Sequence, residues 1–264
     1  MSINGTIFSL AIIFMVFIVI WTRINERKKL DAQKDEFIAL AAHYLMTPLA
    51  IIKGNIAEIV GEKNQKTADS DLRSRYLNIE SSTNKLLLLV QNMLTVSQID
   101  QHTLRYNSTP IDLDNFVYDC LADVGAEAEQ KQIHLVYHRP DNQSSLIQIK
   151  ADREKLRQSM LNILSNALKF TAAGGGVEVF LAKKSRGFSL NISDSGIGIS
   201  AQERSLLFTR FHRGTSYLDM DYEGIGLGLY IARYLIEQGG GEISVDSEVG
   251  KGTKVTLTIP FESH

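Results

Sequence analysis

The sequence predicts an α+β protein with an N-terminal transmembrane helix, a helical hairpin and a C-terminal α/β sandwich. Three observations predict this order: an uncharged apolar stretch at the N-terminus, heptad-spaced apolar residues after it, and strand patterns that alternate with helical ones towards the C-terminus. The predicted segments are 1–22 for the membrane helix, 23–36 for a helical linker, 37–107 for the hairpin domain and 108–264 for the α/β domain.

Length, charge and cysteine content narrow the class of protein. The 264 residues carry a formal net charge of −2, which suits one or two globular domains and gives no electrostatic case for direct nucleic-acid binding. Cys120 is the single cysteine, which excludes an intrachain disulfide and a cysteine zinc cluster and fits a reducing compartment.

The first segment has the length and flanks of a membrane helix. Residues 5–22 carry no charge, and a helix of ~17–25 apolar residues spans a bilayer. Trp21 suits the interface, and Arg23 opens a basic cluster that places the C-terminal bulk in the cytoplasm. A cleaved signal peptide is the alternative, disfavoured because a basic region before the apolar run and a small-residue cleavage site after it are both lacking.

The next segments are helical. Residues 23–36 are charged and contain neither Gly nor Pro, as expected of a stalk. Apolar residues then recur every seven positions on two helices joined by the polar residues 61–71. They are Ile38, Leu45, Ile52 and Ile59 on the first helix and Leu72, Ile79, Leu86 and Met93 on the second. A lone hairpin leaves such stripes half covered, so we expect a dimeric four-helix bundle.

The pattern changes after Asn107. Predicted strands alternate with predicted helices, which indicates an α/β sandwich of ~150 residues with its own core. The strands are 133–137, 147–151, 177–182, 188–193, 242–246 and 253–259, and the helices are 114–130, 153–170, 201–208 and 226–238.

His43 lies on the polar side of the first hairpin helix. At ~100° per residue it projects roughly 150° from the centre of the apolar stripe, and Thr47 shares its face. A surface histidine of no consequence is one interpretation. Pro48 favours a functional one, because a proline inside a helix removes a hydrogen bond and strains the preceding turn.

Three glycine-bearing segments in the second half suggest a phosphate-binding site. They are residues 194–199 (DSGIGI), 224–229 (GIGLGL) and 250–253 (GKGT). Glycines allow close backbone approach to a ligand, and a helix N-terminus offers free N–H groups to phosphate. Upstream, Asn162, Asn166 and Lys169 share one helical face, where an amide oxygen suits Mg²⁺ and a lysine suits phosphate. A Rossmann site is disfavoured, because no strand-like run precedes residue 224 and no acidic ribose partner follows.

In this order, the segments resemble the bacterial sensor histidine kinases of the ATP-binding superfamily that includes gyrase, the Hsp90 chaperones and MutL. The resemblance covers about residues 35–262 and rests on five motifs. They are an H box at 43–48 (HYLMTP), an N box at 162–170 (NILSNALKF), a G1 box at 194–199, an F box at 208–213 (FTRFHR) and a G2 box at 224–229. Residues 201–223 are similar to the mobile lid of the family.

The resemblance implies a mechanism and a set of site residues. His43 would accept the γ-phosphoryl group of ATP and pass it to an aspartate of a separate response regulator. Asp194 would bind adenine and Asn166 would bind Mg²⁺, with Asn162, Lys169 and Arg213 near the phosphates. The other implied ATP-binding residues are Phe170, Gly196, Gly198, Ile199, Phe208, Phe211, Gly224, Gly226, Leu227, Gly228, Leu229 and Thr253.

The chain departs from the family at Tyr44. The family usually has an acidic residue there that acts as general base, whereas a phenol with an ordinary pKa of ~10 is a poor base at neutral pH. Met46 replaces the usual basic residue, and Thr47, which the family uses in dephosphorylating the regulator, is retained. These residues predict weak autokinase activity with phosphatase activity retained at least in part.

Three functions compete on this evidence. The first is a histidine kinase or kinase/phosphatase: a homodimer with a single span in the cell inner membrane and its catalytic part in the cytoplasm. The second is an ATP-responsive scaffold without chemistry, and the third is another ATPase of the superfamily, which the anchor, the hairpin and residues 43–48 disfavour. For a kinase, the signal would come from another membrane protein or from sequence preceding this chain.

Overall fold

The computed structural model describes Trp21, Ala42 and residues 44–60, 69–139, 147–212 and 225–261. The chain forms two compact units, Met1–Tyr44 and Leu45–His264. The predicted linker and almost all of the predicted membrane helix lie outside the described residues, as does His43. Within the described part of the chain, every helix is too short or too polar to cross a bilayer.

The hairpin prediction is confirmed in the part that the structure describes. The first helix, α1, covers residues 44–60 and continues through the buried Pro48, and the second, α2, is Asp69–Asp100. Glu58 of α1 and Arg75 of α2 form an ion pair of 3.4 Å. The apolar heptad residues that the structure describes, all except Ile38, are half-buried on both helices, while further apolar side chains of α2 stay exposed.

The α/β domain contains seven strands and four helices among the described residues. In chain order they are β1 (Thr109–Asp112), α3 (Leu113–Gln130), β2 (His134–His138), β3 (Gln148–Ala151), α4 (Arg153–Phe170), β4 (Gly176–Lys184), β5 (Gly187–Asp194), α5 (Ala201–Arg204), α6 (Gly228–Gln238), β6 (Glu242–Glu248) and β7 (Gly252–Pro260). The predicted α/β sandwich is therefore confirmed.

One mixed sheet forms the base of this domain. Its strand order is β2-β4-β5-β7-β6, with β2 and β4 parallel and the other neighbours antiparallel, while β1 and β3 form a separate antiparallel pair. On β4, Val177, Val179 and Leu181 are buried and alternate with more exposed residues. These side chains pack with buried residues of α3, α4 and α6, so the helices cover one face of the sheet.

Two aspartates fix where the helices α3 and α4 begin. Asp112 accepts hydrogen bonds from the backbone N–H groups of the first turn of α3, and Asp152 does the same for α4. Asp152 also accepts from the backbone N–H of Asn107 at 2.8 Å. The segment after the hairpin is thereby attached to the N-terminus of α4.

Three features of this domain differ from the predictions. The predicted helix 201–208 ends at Arg204, because Leu206 and Thr209 donate to carbonyls three residues back and form tight turns instead. Helix α6 begins at Gly228 rather than Gly226, because Gly226 has a positive φ of 74° that an α-helix does not allow. Strand β1 was missed, since Pro110 suggested only a boundary.

Cys120 lies in the core of the α/β domain, on α3. It is fully buried, and burial with the neighbouring Asp123 raises the pKa of its thiol to about 12. The thiol is therefore protonated and unreactive at neutral pH.

Candidate active site

Asp194, the last residue of β5, is the centre of the candidate nucleotide site. Its Oδ1 atom accepts hydrogen bonds from the backbone N–H groups of Gly196 at 2.9 Å and Thr253 at 3.2 Å. Burial raises the pKa of the Asp194 carboxyl above its ordinary value of 3.8, and the two hydrogen bonds offset that rise only in part. Both backbone donors use the same oxygen, so Oδ2 is the atom suited to accept from an exocyclic amine.

Helix α4 brings the N box next to this aspartate. The Ile197 N–H donates to the carbonyl of Phe170, the last residue of α4, at 3.3 Å. Asn166 and Lys169 are half-buried on the same helix, and the Lys169 ammonium lies 4.7 Å from the centre of the Phe170 ring. The last two turns of α4 therefore place an amide, a cation and an aromatic ring beside the G1 box.

The G1 box and the third glycine segment are hydrogen-bonded to each other. The Gly250 N–H donates to the Ile197 carbonyl at 2.7 Å. Gly198 has a φ of 69°, and a Cβ atom there would clash with the carbonyl of Glu248, so this loop position requires glycine.

Ser247 is a structural member of the site that sequence reasoning missed. Its Oγ accepts from the backbone N–H of Ile199 at 2.8 Å, donates to the Gly252 carbonyl at 2.8 Å and lies 2.9 Å from the hydroxyl of Thr253. Ser247 thereby connects β6 to the G1 box and to the third glycine segment. A serine in an ordinary strand pattern gives no signal of this role in the sequence.

The F box packs against the described part of the G2 box. A Cβ atom on Gly226 would lie 2.6 Å from the His212 carbonyl, so the two segments approach too closely for a side chain. Phe211 has a φ of 59°, which is rare for an aromatic residue and strains the backbone inside the F box. Gly228 begins α6 beside the Oδ1 atom of Asn162.

Arg210 of the F box joins three elements. Its guanidinium donates to the Tyr230 hydroxyl at 2.6 Å, lies 4.7 Å from the centre of the Tyr230 ring, and forms an ion pair of 2.7 Å with Asp100 at the end of α2. Burial alone would lower the pKa of Arg210, but the hydrogen bonds to Tyr230 and Asp100 outweigh it and raise the pKa. This contact links the hairpin to α6.

The remaining predicted residues are distributed as follows. Phe208 is half-buried with the Arg233 guanidinium 5.3 Å from the centre of its ring, Leu227 is buried, and Leu229 packs on the core. Tyr44 and Thr47 are half-buried on the first helix. His43, Arg213 and Gly224 lie outside the described residues.

The side chains around Asn166 fit a Mg²⁺ ion that is bound together with phosphate. In the described part of the chain, no three His, Cys, Asp or Glu side chains form a cluster that would hold a metal alone. The half-buried Asn166 offers one neutral amide oxygen, and Mg²⁺ at nucleotide sites commonly takes one or two protein ligands, phosphate oxygens and water.

Asn162 differs from its neighbours in the N box, because it faces the hairpin. Its side chain is buried and exchanges two hydrogen bonds with Asn92 of α2. Its partner Asn92 could not be found from the sequence, because a polar residue between apolar ones on a long helix indicates a solvated position.

Comparison with known proteins decides the family. The model for the His Kinase A (phospho-acceptor) domain matches residues 33–102, and the model for histidine kinase-, DNA gyrase B- and HSP90-like ATPases matches residues 151–263. The chain belongs to the sensor histidine kinases. It is similar to sensor histidine kinase WalK of Bacillus subtilis, with 28% identity over 242 residues that make up 90% of this chain and 38% of WalK.

A further sensor-like kinase agrees with this family assignment. A sensor-like histidine kinase of Rhizobium meliloti is 32% identical over 230 residues, which are 87% of this chain and 43% of that protein. The chain thus spans less than half the length of these two curated relatives.

Solved histidine kinase structures share the fold. Acinetobacter baumannii AdeS superposes with a TM-score of 0.53 at 21% identity, over 83% of this chain and 98% of that chain. The full-length ShkA structure, solved in complex with AMPPNP, gives a TM-score of 0.58 at 24% identity, over 87% of this chain and 46% of that chain.

Proposed function

We propose that this chain is an ATP-dependent protein histidine kinase that phosphorylates His43 and passes the phosphoryl group to an aspartate of a response regulator. One observation carries the proposal. The G1 box and the third glycine segment donate to the half-buried carboxylate of Asp194, and the N box is hydrogen-bonded to the same G1 loop, in the same chain whose residues 33–102 match the phospho-acceptor model.

Each nucleotide-site residue has a proposed role that follows from its chemistry. Oδ2 of Asp194 accepts a hydrogen bond from the adenine amine, and Lys169 and Arg213 attract the phosphates. Asn166 would hold Mg²⁺, which neutralises phosphate charge when bound. Asn162 lies beside Gly228 at the N-terminus of α6, where free N–H groups favour an anion.

The transfer reaction is an in-line displacement. The Nε2 atom of neutral His43 attacks the γ-phosphorus, a P–N bond forms, and the bond from phosphorus to the β,γ-bridging oxygen breaks with ADP as the leaving group. The imidazole then carries a positive charge until Nδ1 releases its proton. Positioning of the reactants by the α/β domain and neutralisation of the phosphate charge supply most of the rate acceleration.

The proposed partners are a second copy of the chain and a response regulator. The exposed apolar residues of the hairpin support a four-helix dimer. The histidine kinase ThkA, whose solved structure includes the response regulator protein TrrA, matches this chain at 20% identity with a TM-score of 0.53, over 86% of this chain and 61% of that chain, and its complex supports a partner of that class.

The proposed location is the cell inner membrane, with the catalytic part in the cytoplasm. Residues 5–22 would form a single membrane helix, and the basic residues after Trp21 support this orientation. A neighbouring membrane protein would then supply the signal. This location rests on the sequence alone.

A second candidate function is a phosphatase or scaffold built on the same frame. Tyr44 favours it, because a phenol in the position of the general base slows proton removal from Nδ1 of His43. Thr47 follows on the same helix and would serve dephosphorylation of the regulator.

Autophosphorylation separates the two functions. The chain from residue 24 onwards is incubated with γ-labelled ATP and Mg²⁺, with His43→Gln as the matched variant. A kinase acquires acid-labile, base-stable label that His43→Gln lacks. ATP binding without label in the unsubstituted chain would instead favour the phosphatase or scaffold.

Substitution of Tyr44 tests the general-base argument. A carboxylate at this position would accept the Nδ1 proton, so Tyr44→Glu is expected to raise the autophosphorylation rate about a hundredfold or more. Tyr44→Gln, which has similar size and no basic group, is the control. Equal rates in the two variants would show that the base position does not limit the reaction.

A further inference from the structure

Helix α2 of the hairpin contacts the N-box helix through a closed cluster of amide and hydroxyl groups. Asn92 donates to Oδ1 of Asn162 at 2.6 Å and accepts from Nδ2 of Asn162 at 2.9 Å. Oδ1 of Asn92 also accepts from Gln158 at 3.0 Å, and Oε1 of Gln158 accepts from the Thr95 hydroxyl at 3.0 Å. We call these four residues the amide cluster.

The amide cluster is removed from solvent. Asn92, Thr95, Gln158 and Asn162 are 8%, 4%, 7% and 4% exposed, although amides are usually surface groups. Both polar atoms of the Asn162 side chain are bonded to Asn92. Asn92 and Asn162 satisfy each other's hydrogen bonds only while α2 lies on α4. Burial of either amide without its partner would cost free energy.

Other contacts place the α/β domain along α2 in the same arrangement. Asn84 donates to the carbonyl of Asp123 on α3 at 3.0 Å, Lys85 pairs with Glu127 at 3.2 Å, and Arg210 pairs with Asp100 at 2.7 Å. Glu127 is buried, but Lys85, Arg210 and Asp100 are partly or fully exposed, and ion pairs with an exposed member contribute little. The amide cluster is therefore the part of this interface that specifies a single register between the two helices.

We propose that Asn92 is a positioning residue that controls nucleotide binding by holding Asn162 in the docked state. The proposal rests on the proposed function, in which Asn162 lies at the phosphate end of the ATP site. While α2 is docked, Asn162 is engaged by Asn92 and shielded from solvent, so it must exchange this partner before it can contact phosphate. Docking on α2 and nucleotide binding through Asn162 then compete for one amide.

Asn92→Leu tests this competition. Leucine has a similar size and leaves the amides of Gln158 and Asn162 facing an apolar group, which disfavours the docked state. We expect the Kd of a fluorescent ATP analogue, measured on the whole chain, to fall about fivefold or more, and the KM for ATP to fall with it. Gln98→Leu places the same side chain at an exposed site on the same helix and should leave the Kd unchanged.

A double-mutant cycle shows whether Asn92 acts through Asn162. The gain in affinity from Asn92→Leu should vanish when Asn162→Ala is already present, which a general loosening of the hairpin would not explain. Thr95→Val removes one hydrogen bond without a change in shape. It should also tighten nucleotide binding, but by less than Asn92→Leu does.

The outcomes separate this inference from the proposed function. An unchanged or weaker affinity in Asn92→Leu, with normal ATP binding in the unsubstituted chain, overturns the competition while the ATP site stands. A gain that persists in the Asn162→Ala background also overturns it. If the unsubstituted chain fails to bind the ATP analogue, the proposed function itself fails.

Discussion

At the scale of single residues, Asp194 is half-buried, and the adenine contact proposed for it uses its ionised form. Burial raises the pKa of its carboxyl, while the N–H groups of Gly196 and Thr253 stabilise the charge at Oδ1. The folded chain therefore holds this proton more tightly than the unfolded chain does. The free energy of unfolding falls as the pH rises from 3.8 through the raised pKa, so the ionised form that is proposed to bind adenine is kept at a cost in stability.

Asp194→Asn should separate ligand recognition from stability. Asparagine can keep its Oδ1 as the acceptor for both backbone groups, but it replaces Oδ2 with an amide NH₂ group, which is a donor and cannot accept from the adenine amine. We expect the affinity for ATP to fall about tenfold to a hundredfold, while the Tm near neutral pH is unchanged or higher. Isothermal titration and thermal melts at several pH values measure both effects.

Asp246→Asn is the matched control for this prediction, because Asp246 has an exposed side chain on β6. It should change neither the ATP affinity nor the pH dependence of the Tm. A large loss of Tm in Asp194→Asn would contradict the idea that the buried charge serves binding rather than folding.

At the scale of elements, α4 carries the N box and depends on Asp152, the residue that caps its N-terminus. Asp152 is buried and accepts hydrogen bonds from Glu154, Lys155 and Asn107, so one carboxylate both starts the helix and fixes the segment that leaves the hairpin. Asp112 caps α3 in the same way, but in a more exposed setting.

Asp152→Ala should therefore destabilise the α/β domain more than Asp112→Ala does. Loss of an N-cap costs about 1 kcal/mol, and the backbone N–H of Asn107 would lose its part-buried hydrogen bond as well. We expect a loss of about 2–3 kcal/mol for Asp152→Ala and about 1 kcal/mol for Asp112→Ala. Urea unfolding followed by circular dichroism measures both, and equal losses would show that the Asn107 contact adds nothing.

Most elements of the α/β domain could be predicted from the sequence, because their signals are local. Strand-like runs located β4 and β5, and the helical pattern located α4 with its observed bounds. Strand β1 was missed because Pro110 cannot donate to a sheet, yet an edge strand tolerates it. The end of α5 depends on turns that begin at Leu206, which the helical pattern conceals.

The candidate site was predictable as motifs but not as contacts. The glycine segments and the N-box residues are visible in the sequence, since each motif is a short local pattern. Ser247 and Asn92 are not, because their partners lie on other elements that only the fold brings near. The packing of α2 on α4 could not be predicted for the same reason, since its contacts join residues that are far apart in the sequence.

At the scale of the whole molecule, the hairpin exposes more apolar surface than a monomer would retain in water. Leu87, Val90 and Leu94 follow one face of α2 and are 54%, 40% and 59% exposed, and Leu49 and Ile56 on α1 are exposed as well. Burial of the exposed half of such a side chain against a second copy is worth roughly half of the ~1.5–3 kcal/mol that full burial gives. The chain is therefore expected to form a stable dimer through the hairpin.

Leu87→Glu combined with Leu94→Glu should disrupt this dimer. Two charges per chain on the apolar face would have to be buried without partners, so the equilibrium should shift from dimer to monomer. Sedimentation equilibrium of the chain from residue 24 onwards gives the mass, and ATP binding by the same sample shows that the α/β domain remains folded.

Val249→Glu is the control for surface charge, since Val249 is 62% exposed on a turn of the α/β domain. It should leave the mass at that of a dimer. An unchanged dimer in the doubly substituted hairpin would mean that another surface holds the two copies together.

The buried Cys120 makes this protein convenient for spectroscopy. Its thiol is shielded and its pKa is raised to about 12, so maleimide and spin-label reagents should react with an introduced surface cysteine in its place. Labels at Gln98 on α2 and at Val249 on the α/β domain would give a fluorescence or electron-spin distance without any need to remove native cysteines. Such a pair would follow the separation of hairpin and α/β domain in real time as nucleotide is added.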